Sequence, residues 1–256
     1  MTHKMPPPIN VIKIRNQTID KSIFNNKSYK CKLSYNQYKI LSYCISLLKH
    51  NENNIIKIDI KDYCQAIGLT LQSNNFIGIQ NALKTLEQVP LVITNDTTSS
   101  PIPAITHVTS LSDNQIEVGL EQRYLAHLED LTTSLNQYNF INIAFLTSYY
   151  SIHLYEICKS WQGRKTMIVD VVTLRQIFAL ENTLRSWQHF KERVLSKPLE
   201  EINLLTDINI EVEYIRHQRM VKKIKFTIST KTREQRIRVN QYIKKHMDSK
   251  YIKRQK

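Results

Sequence analysis

Glycine is scarce in this chain. Of 256 residues only Gly68, Gly78, Gly119 and Gly163 are glycine, and none belongs to a GxxxxGK(S/T) phosphate loop or a GxGxxG dinucleotide fingerprint. Histidines are dispersed too: the closest two, His107 and His127, are 20 residues apart. The paired-histidine metal site of rolling-circle nicking enzymes is therefore absent. The acidic residues form no metal-binding pattern. Among thirteen tyrosines no nucleophile stands out, and Tyr149, Tyr150 and Tyr155 lie on an apolar-periodic stretch where core packing is the default role. Cys31, Cys44, Cys64 and Cys158 form no CxxC pair and have no histidine at zinc-ligand spacing, so reduced, mostly buried thiols are expected. No apolar run approaches the roughly 20 residues that span a bilayer. The opening MTHKMPPPIN lacks the apolar core of a secretory signal, so a cytoplasmic protein is expected. These absences argue against an enzyme and predict no cofactor and no metal.

What the chain has is charge in one place. It is 41% hydrophobic and 23% charged, the balance of a globular protein with room for one large or two small domains. The net charge is +14. Residues 214–256 hold 15 Lys or Arg against Glu234 and Asp248, which accounts for +13 of it. A polyanion is implied there, nucleic acid or an acidic membrane surface. A solubilising tail is the plainer alternative, but the charge begins inside VEYIRHQRMVKKIKFTIS, which reads as two strands and a turn.

A shift of 111 residues lays IKIDIKDYCQAIGL (56–69) within TMIVDVVTLRQIFAL (166–180), matching Asp59 to Asp170, Gln65 to Gln176 and Leu69 to Leu180. The same shift carries Phe76, Ile79 and Leu83 onto Trp187, Phe190 and Val194. One unbroken offset across two elements indicates a duplication. Each half reads as an apolar-periodic helix (33–50 or 146–162), a short strand running into a second helix, a third helix (76–88 or 186–203), and closing strands. Those strands are PLVIT, ITHVTSL and IEVGL in the first half, and INIEVEYI and VKKIKFTIS in the second. The expected fold is α+β, two tandem winged-helix domains, a helix-turn-helix variant, related by internal duplication. The expected divisions are an N-terminal arm at 1–24, a first domain at 25–138, a second at 139–230 and a basic tail at 231–256. The boundary follows the helix EQRYLAHLEDL, around Asn136 to Ile143.

The third helix of the second half, within WQHFKERVLSKPLEEINLLT (187–206), has its charges inverted. Lys191, Arg193 and Lys197 come first and Glu200 and Glu201 last, against the helix dipole. At about 100° per residue, Trp187, Phe190, Val194, Leu195, Ile202 and Leu205 share one face. His189, Arg193, Ser196, Lys197 and Glu200 share the other, with Glu192 at its edge. Lys191 falls inside the apolar arc and must snorkel or sit in an irregular turn, and Pro198 suggests a bend. A solvated helix face is the bland account; phosphates and base edges at the leading end explain the charge order better. Arg185, Gln188, His189, Lys191, Glu192, Arg193, Ser196 and Lys197 are the candidate readers. In the following hairpin Arg216, His217, Gln218 and Arg219 are expected in the turn. Lys222, Lys223 and Lys225 line the returning strand, for phosphate or minor-groove contact or merely as edge protection. The third helix of the first half is expected to bury Phe76, Ile79, Ala82, Leu83 and Leu86. It would present Asn74, Asn75, Gln80, Asn81, Lys84, Thr85 and Gln88, an amide-rich set suited to adenine. The tail is expected as a basic helix or a disordered arm.

LSYNQYKILSYC, IKIDIKDYCQAIGL, INIAFLTSYYSIHLYEICKSWQ and above all HFKERVLSKPLEEIN, followed by INIEVEYI and VKKIKFTIS, resemble the iteron-binding plasmid replication initiators. The resemblance implies double-stranded DNA as the partner, at origin direct repeats and at the protein's own promoter, with no membrane partner. It implies iteron binding as a monomer, opening of adjacent A·T-rich DNA, engagement of host initiator, helicase and chaperones, and autorepression as a dimer formed mainly by the first domain. It also implies major-groove contacts for Lys191 and Arg193. His189 and Glu192 depart from the family pattern, in which an acid precedes the Phe and a third basic residue follows it. A winged-helix repressor without origin function is the second hypothesis, and a nicking or primase-type enzyme the weakest.

Overall fold

The computed structural model describes residues 33–47, 54–69, 73–88, 90–94, 99–123 and 140–253. The N-terminal arm, Cys31 and most of the helix expected at 121–131 lie outside the described residues. The chain divides into two compact units between Ala144 and Phe145.

In the first unit, α1 (Tyr35–Leu47) is followed by β1 (Ile55–Asp59), α2 (Ile60–Ala66), α3 (Ser73–Gln88), β2 (Pro90–Thr94), β3 (Ser99–Pro103), β4 (Ile105–Ser110), β5 (Gln115–Leu120) and α4 (Ile141–Ala144). Ser34 and Gln37 open α1 with a reciprocal capping box, each side chain accepting the other's backbone N–H. The sheet order is β1-β5-β4, all antiparallel. Ile58, Ile116 and Val118 from the sheet meet Leu41, Ile45, Leu83 and Leu86 from the helices in a buried core.

The second unit repeats this plan. It contains α5 (Tyr149–Ser160), β6 (Thr166–Asp170), α6 (Val171–Ile177), a long third helix, β7 (Ile208–His217), β8 (Met220–Thr230) and α9 (Arg233–Lys253). Its sheet order, β6-β8-β7, matches that of the first unit strand for strand. Each sheet puts the strand before the helix-turn-helix against the last strand, and the β4–β5 and β7–β8 hairpins are the wings.

The duplication extends to individual hydrogen bonds. After α2, the N–H groups of Ile67, Gly68 and Leu69 donate to the carbonyls of Tyr63, Gln65 and Cys64; after α6, Phe178, Ala179 and Leu180 donate to Leu174, Gln176 and Arg175. Every donor and acceptor is displaced by 111 residues. Both exits pass through a left-handed residue, Gly68 at φ 69° and Ala179 at φ 51°, a C-terminal cap that glycine adopts freely and alanine does not. The entries differ. The Asp59 carboxylate caps α2 by accepting from Lys61 and Asp62 N–H, whereas Asp170 makes no such bond.

Two expectations are corrected. PLVIT does not join the winged sheet; it pairs with β3 in a separate two-stranded hairpin, register Pro90↔Pro103. Pro90, Pro101 and Pro103 lack the N–H that a central strand must donate, so this pair stands apart as its own small sheet. In the second wing, Arg216 and His217 end β7, and Gln218 and Arg219 alone form the turn, with Gln218 at φ 55°. Beyond the wing, Thr232 and Gln235 form a capping box that starts α9, so the tail begins as a helix.

Candidate nucleic-acid interface

The third helix of the second unit is not a uniform α-helix. It consists of α7 (Trp187–Phe190), a π-helical turn (Lys191–Ser196) and α8 (Lys197–Leu205), with Lys197 N–H donating to Glu192 O. The physical reason lies in the core. Phe190, Val194, Leu195, Pro198 and Ile202 are all buried. In an unbroken α-helix at about 100° per residue, Phe190 and Leu195 would stand about 140° apart with Lys191 between them. A π turn advances fewer degrees per residue, which draws the buried set together and moves Lys191 to its edge. Lys191 is half-buried there with its ammonium over the Tyr214 ring, 5.0 Å from the centroid. Pro198, which cannot donate to a carbonyl four residues back, sits in the first turn of α8, after the irregular turn, where that loss costs least.

Comparison with α3 shows what the turn accommodates. The 111-residue shift places buried Ile79 and Leu83 on buried Phe190 and Val194, but it places buried Leu86 on exposed Lys197. Buried Pro198 is one residue further on. The second helix thus carries one extra residue, and the π turn is where it goes.

Two of the helix's acids, Glu201 and Glu192, find partners. The Glu201 carboxylate accepts the Thr147 N–H at 3.1 Å and its hydroxyl, just before α5, whose N-cap is Ser148. It serves another helix's positive end. Glu192 pairs with Lys197 at 3.2 Å.

Gln188, His189, Arg193 and Lys197 are exposed on the leading part of this helix, Arg185 is exposed just before it, and Ser196 is half-buried. Trp187 is half-buried against Phe190 and Tyr214 rather than fully inside. Ser186 occupies the N-cap position without a side-chain cap bond. On the wing, Arg216, His217, Arg219, Lys222 and Lys223 are exposed. Ile224, Phe226 and Ile228 fill the core on the alternate positions. Lys225 is half-buried and bound to Glu213 at 3.0 Å, so much of its charge is already answered.

Arg175 is a positioning residue that the sequence did not single out. From α6 its guanidinium donates to Leu184 O at 2.8 Å and to Thr183 O and Arg185 O at 3.3 Å, and it stacks over Phe190 with 4.4 Å to the ring centroid. Burial lowers its pKa. It ties the turn of the helix-turn-helix to the start of the third helix. Asp207 plays the same part at the other end, accepting from Lys159 at 2.6 Å and Tyr155 at 2.9 Å.

In the first unit, Asn81, Lys84, Thr85 and Gln88 are exposed on α3, while Asn75 and Gln80 are half-buried. The Asn74 side chain lies outside the described residues. Phe76 and Ala82 are half-buried, less than expected. Thr85 spends its hydroxyl proton on Asn81 O at 2.7 Å. The first wing, residues 105–120, contains no Lys or Arg, so cationic character is concentrated in the second unit. Among the described residues no group of three or more His, Cys, Asp or Glu is placed to hold a metal, and no helix is long and apolar enough to cross a membrane. Burial pushes the Cys44, Cys64 and Cys158 thiols up, away from reactive thiolate.

Two winged-helix units, the second with a cationic helix face and wing, define a DNA-binding protein of the tandem winged-helix class. The chain belongs to the initiator replication protein family: residues 19–159 match "Initiator Replication protein, WH1" and residues 170–228 match "Initiator Rep protein, WH2". It is a DNA-binding initiator of plasmid replication, in a family that acts by binding rather than by catalysis. No curated protein sequence matches it. The fold is similar to a crystal structure of domains 2 and 3 of RctB, with TM-score 0.53 and 13% identity over 75% of this chain and 80% of that one. A second structure of RctB domains 2–3 matches with TM-score 0.47 and 12% identity over 79% and 83% of the two chains.

Proposed function

We propose that this initiator binds direct repeats at a plasmid origin, the second unit inserting the leading part of its third helix into the major groove. The observation that carries this reading is the solvent-facing set of His189 with the cations Arg193 and Lys197, on a helix whose N-terminus Ser186 leaves uncapped. An anion arriving there satisfies both the side chains and the backbone N–H groups. Arg185, Gln188, Lys191 and Ser196 flank the contact. Arg216, His217, Arg219, Lys222 and Lys223 hold the phosphate backbone, with Lys225 contributing less because of Glu213. In the first unit Asn75, Gln80, Asn81, Lys84, Thr85 and Gln88 read base edges with little electrostatic pull, Asn74 lying at the start of the same helix. The two units, meeting between Ala144 and Phe145 rather than at the expected 138/139, are the two DNA-binding domains, and 231–256 adds affinity without sequence preference.

By its family the protein opens adjacent A·T-rich DNA, engages host initiator, helicase and chaperones, and represses its own promoter as a dimer in equilibrium with the monomer, in the bacterial cytoplasm. Footprinting on the plasmid that encodes it tests the central claim. Protection of several direct repeats, each about two helical turns long, is expected; protection of a single inverted repeat alone contradicts it.

A further inference from the structure

α3 carries a large apolar side chain on its outward face. Ile77 is 53% exposed. At about 100° per residue it stands between Lys84 and Asn81, about 20° from the first and 40° from the second, with Gln88 also within about 20°. It is therefore at the centre of the polar face, away from buried Ile79, Leu83 and Leu86. Next to it Gly78 is exposed with nothing within 4 Å of where a Cβ would stand. A mid-helix glycine is less favourable than alanine, and no packing among the described residues explains it.

We infer that Ile77 is a specificity-determining residue that packs on the 5-methyl group of a thymine in the major groove. The inference rests on the reading that α3 lies on DNA. Three observations favour a base edge over a protein as the occupant. The residues around Ile77 are amides and one lysine, the chemistry of adenine and phosphate contact rather than of an apolar protein interface. The 111-residue shift places Ile77 on Gln188, in the leading turn of the corresponding helix. Gly78 keeps the helix surface low beside it, so the groove can approach closely. Adenine offers its N7 and amino group to an amide, and its paired thymine offers a methyl that only an apolar side chain rewards. Asn81 and Ile77 together would select A·T pairs with almost no charge.

The test uses the full chain and a duplex carrying one repeat defined by footprinting, in which deoxyuridine replaces thymidine one base at a time. Each replacement removes a single methyl group. With the wild-type protein, one or two positions lose about fourfold in affinity, the effect expected of one buried methyl. With Ile77→Ala the repeat binds more weakly, and at those positions the deoxyuridine loss disappears while the rest of the profile is unchanged. Identical profiles for the two proteins overturn the inference. So does a change in sedimentation of Ile77→Ala without a change in profile, which makes the residue a protein contact. Lys84→Ala and Asn81→Ala separate the premise from the inference. If neither weakens binding, α3 is not on DNA and the underlying reading fails. If they weaken it while the deoxyuridine profiles coincide, only the role of Ile77 fails.

Discussion

Glu192 and Lys197 stand five residues apart and close an ion pair of 3.2 Å, a spacing that belongs to a π turn. The acid that interrupts the basic run thus has its counter-charge on the same exposed surface, and Lys197 is partly withheld from phosphate. Both side chains are more than half exposed, so Glu192→Gln changes stability by less than about 1 kcal/mol. It should raise affinity for specific and random DNA alike and steepen the salt dependence by about one unit of slope. Filter binding across a salt series measures this. A loss confined to the specific repeat would show instead that the carboxylate touches a base.

Arg193 and Lys223 divide reading from holding. Arg193→Ala should remove the preference for the repeat over random DNA by about 1–3 kcal/mol. Lys223→Ala should weaken binding to every sequence and flatten the salt dependence by about one unit. Gel shifts on both DNA types check the division, and equal losses on both for both variants contradict it.

The exits of α2 and α6 share three hydrogen bonds and differ at one residue. Ala179 holds the left-handed conformation that Gly68 holds in the first unit. Ala179→Gly should therefore stabilise the second unit, by about 0.5–1 kcal/mol after glycine's own entropy cost. A lower denaturation midpoint would show that the alanine methyl makes packing contacts worth more than the strain.

Arg175 donates to three carbonyls in the turn before α7. Arg175→Ala should destabilise the second unit by about 1–3 kcal/mol, and specific binding should fall more than random binding because the turn aims the reading helix. Arg175→Lys, with one point charge in place of a planar fork, should recover only part of either. Chemical denaturation and gel shifts together supply the readout.

Lys231 is 5% exposed and donates to Asn203 O and Thr206 O at the end of α8. Burial lowers its pKa to about 8 from the ordinary 10.5, against the pull of Asp207. The native protein therefore releases this proton before the unfolded chain does. The cost of burying the charge is fully present below about pH 8 and fades as pH rises towards 10.5, so this group makes stability increase with pH. The buried thiols act in the opposite sense above their ordinary 9.0. Denaturation from about pH 7 to about pH 9, compared between wild type and Lys231→Met, isolates the lysine. The wild type should gain relative to the variant across that window.

Much of this architecture is visible in the chain because local chemistry and long-range packing agree. The shift that matches Asp59 to Asp170 also matches β1 to β6 and α2 to α6 at both ends, since strand end, helix start and left-handed exit are each local events. Three features escaped for lack of a local signal. β3 is built around Pro101, whose usual meaning is a loop, and only pairing with Val92 makes it a strand. The π turn defeats any wheel drawn at constant angle, which is why Lys191 falls inside an apolar arc on paper and over Tyr214 in the fold. Arg175 acquires its partners only when residues 178–186 curl back over α6. Ile77 is inconspicuous in the sequence for the opposite reason: apolar residues are expected inside, and the informative ones are those left outside.

The π turn also bears on how the two copies diverged. In an unbroken helix packed against a core, one added residue rotates everything beyond it by about 100° and carries buried side chains out of the core. Here six residues absorb the insertion, and Ile202 still meets its neighbours. The second copy thereby differs from the first in the angular offset between its outward side chains and its buried anchor points. Deleting one residue within 191–196 would restore the α-helical register and turn the outward side chains relative to the buried ones.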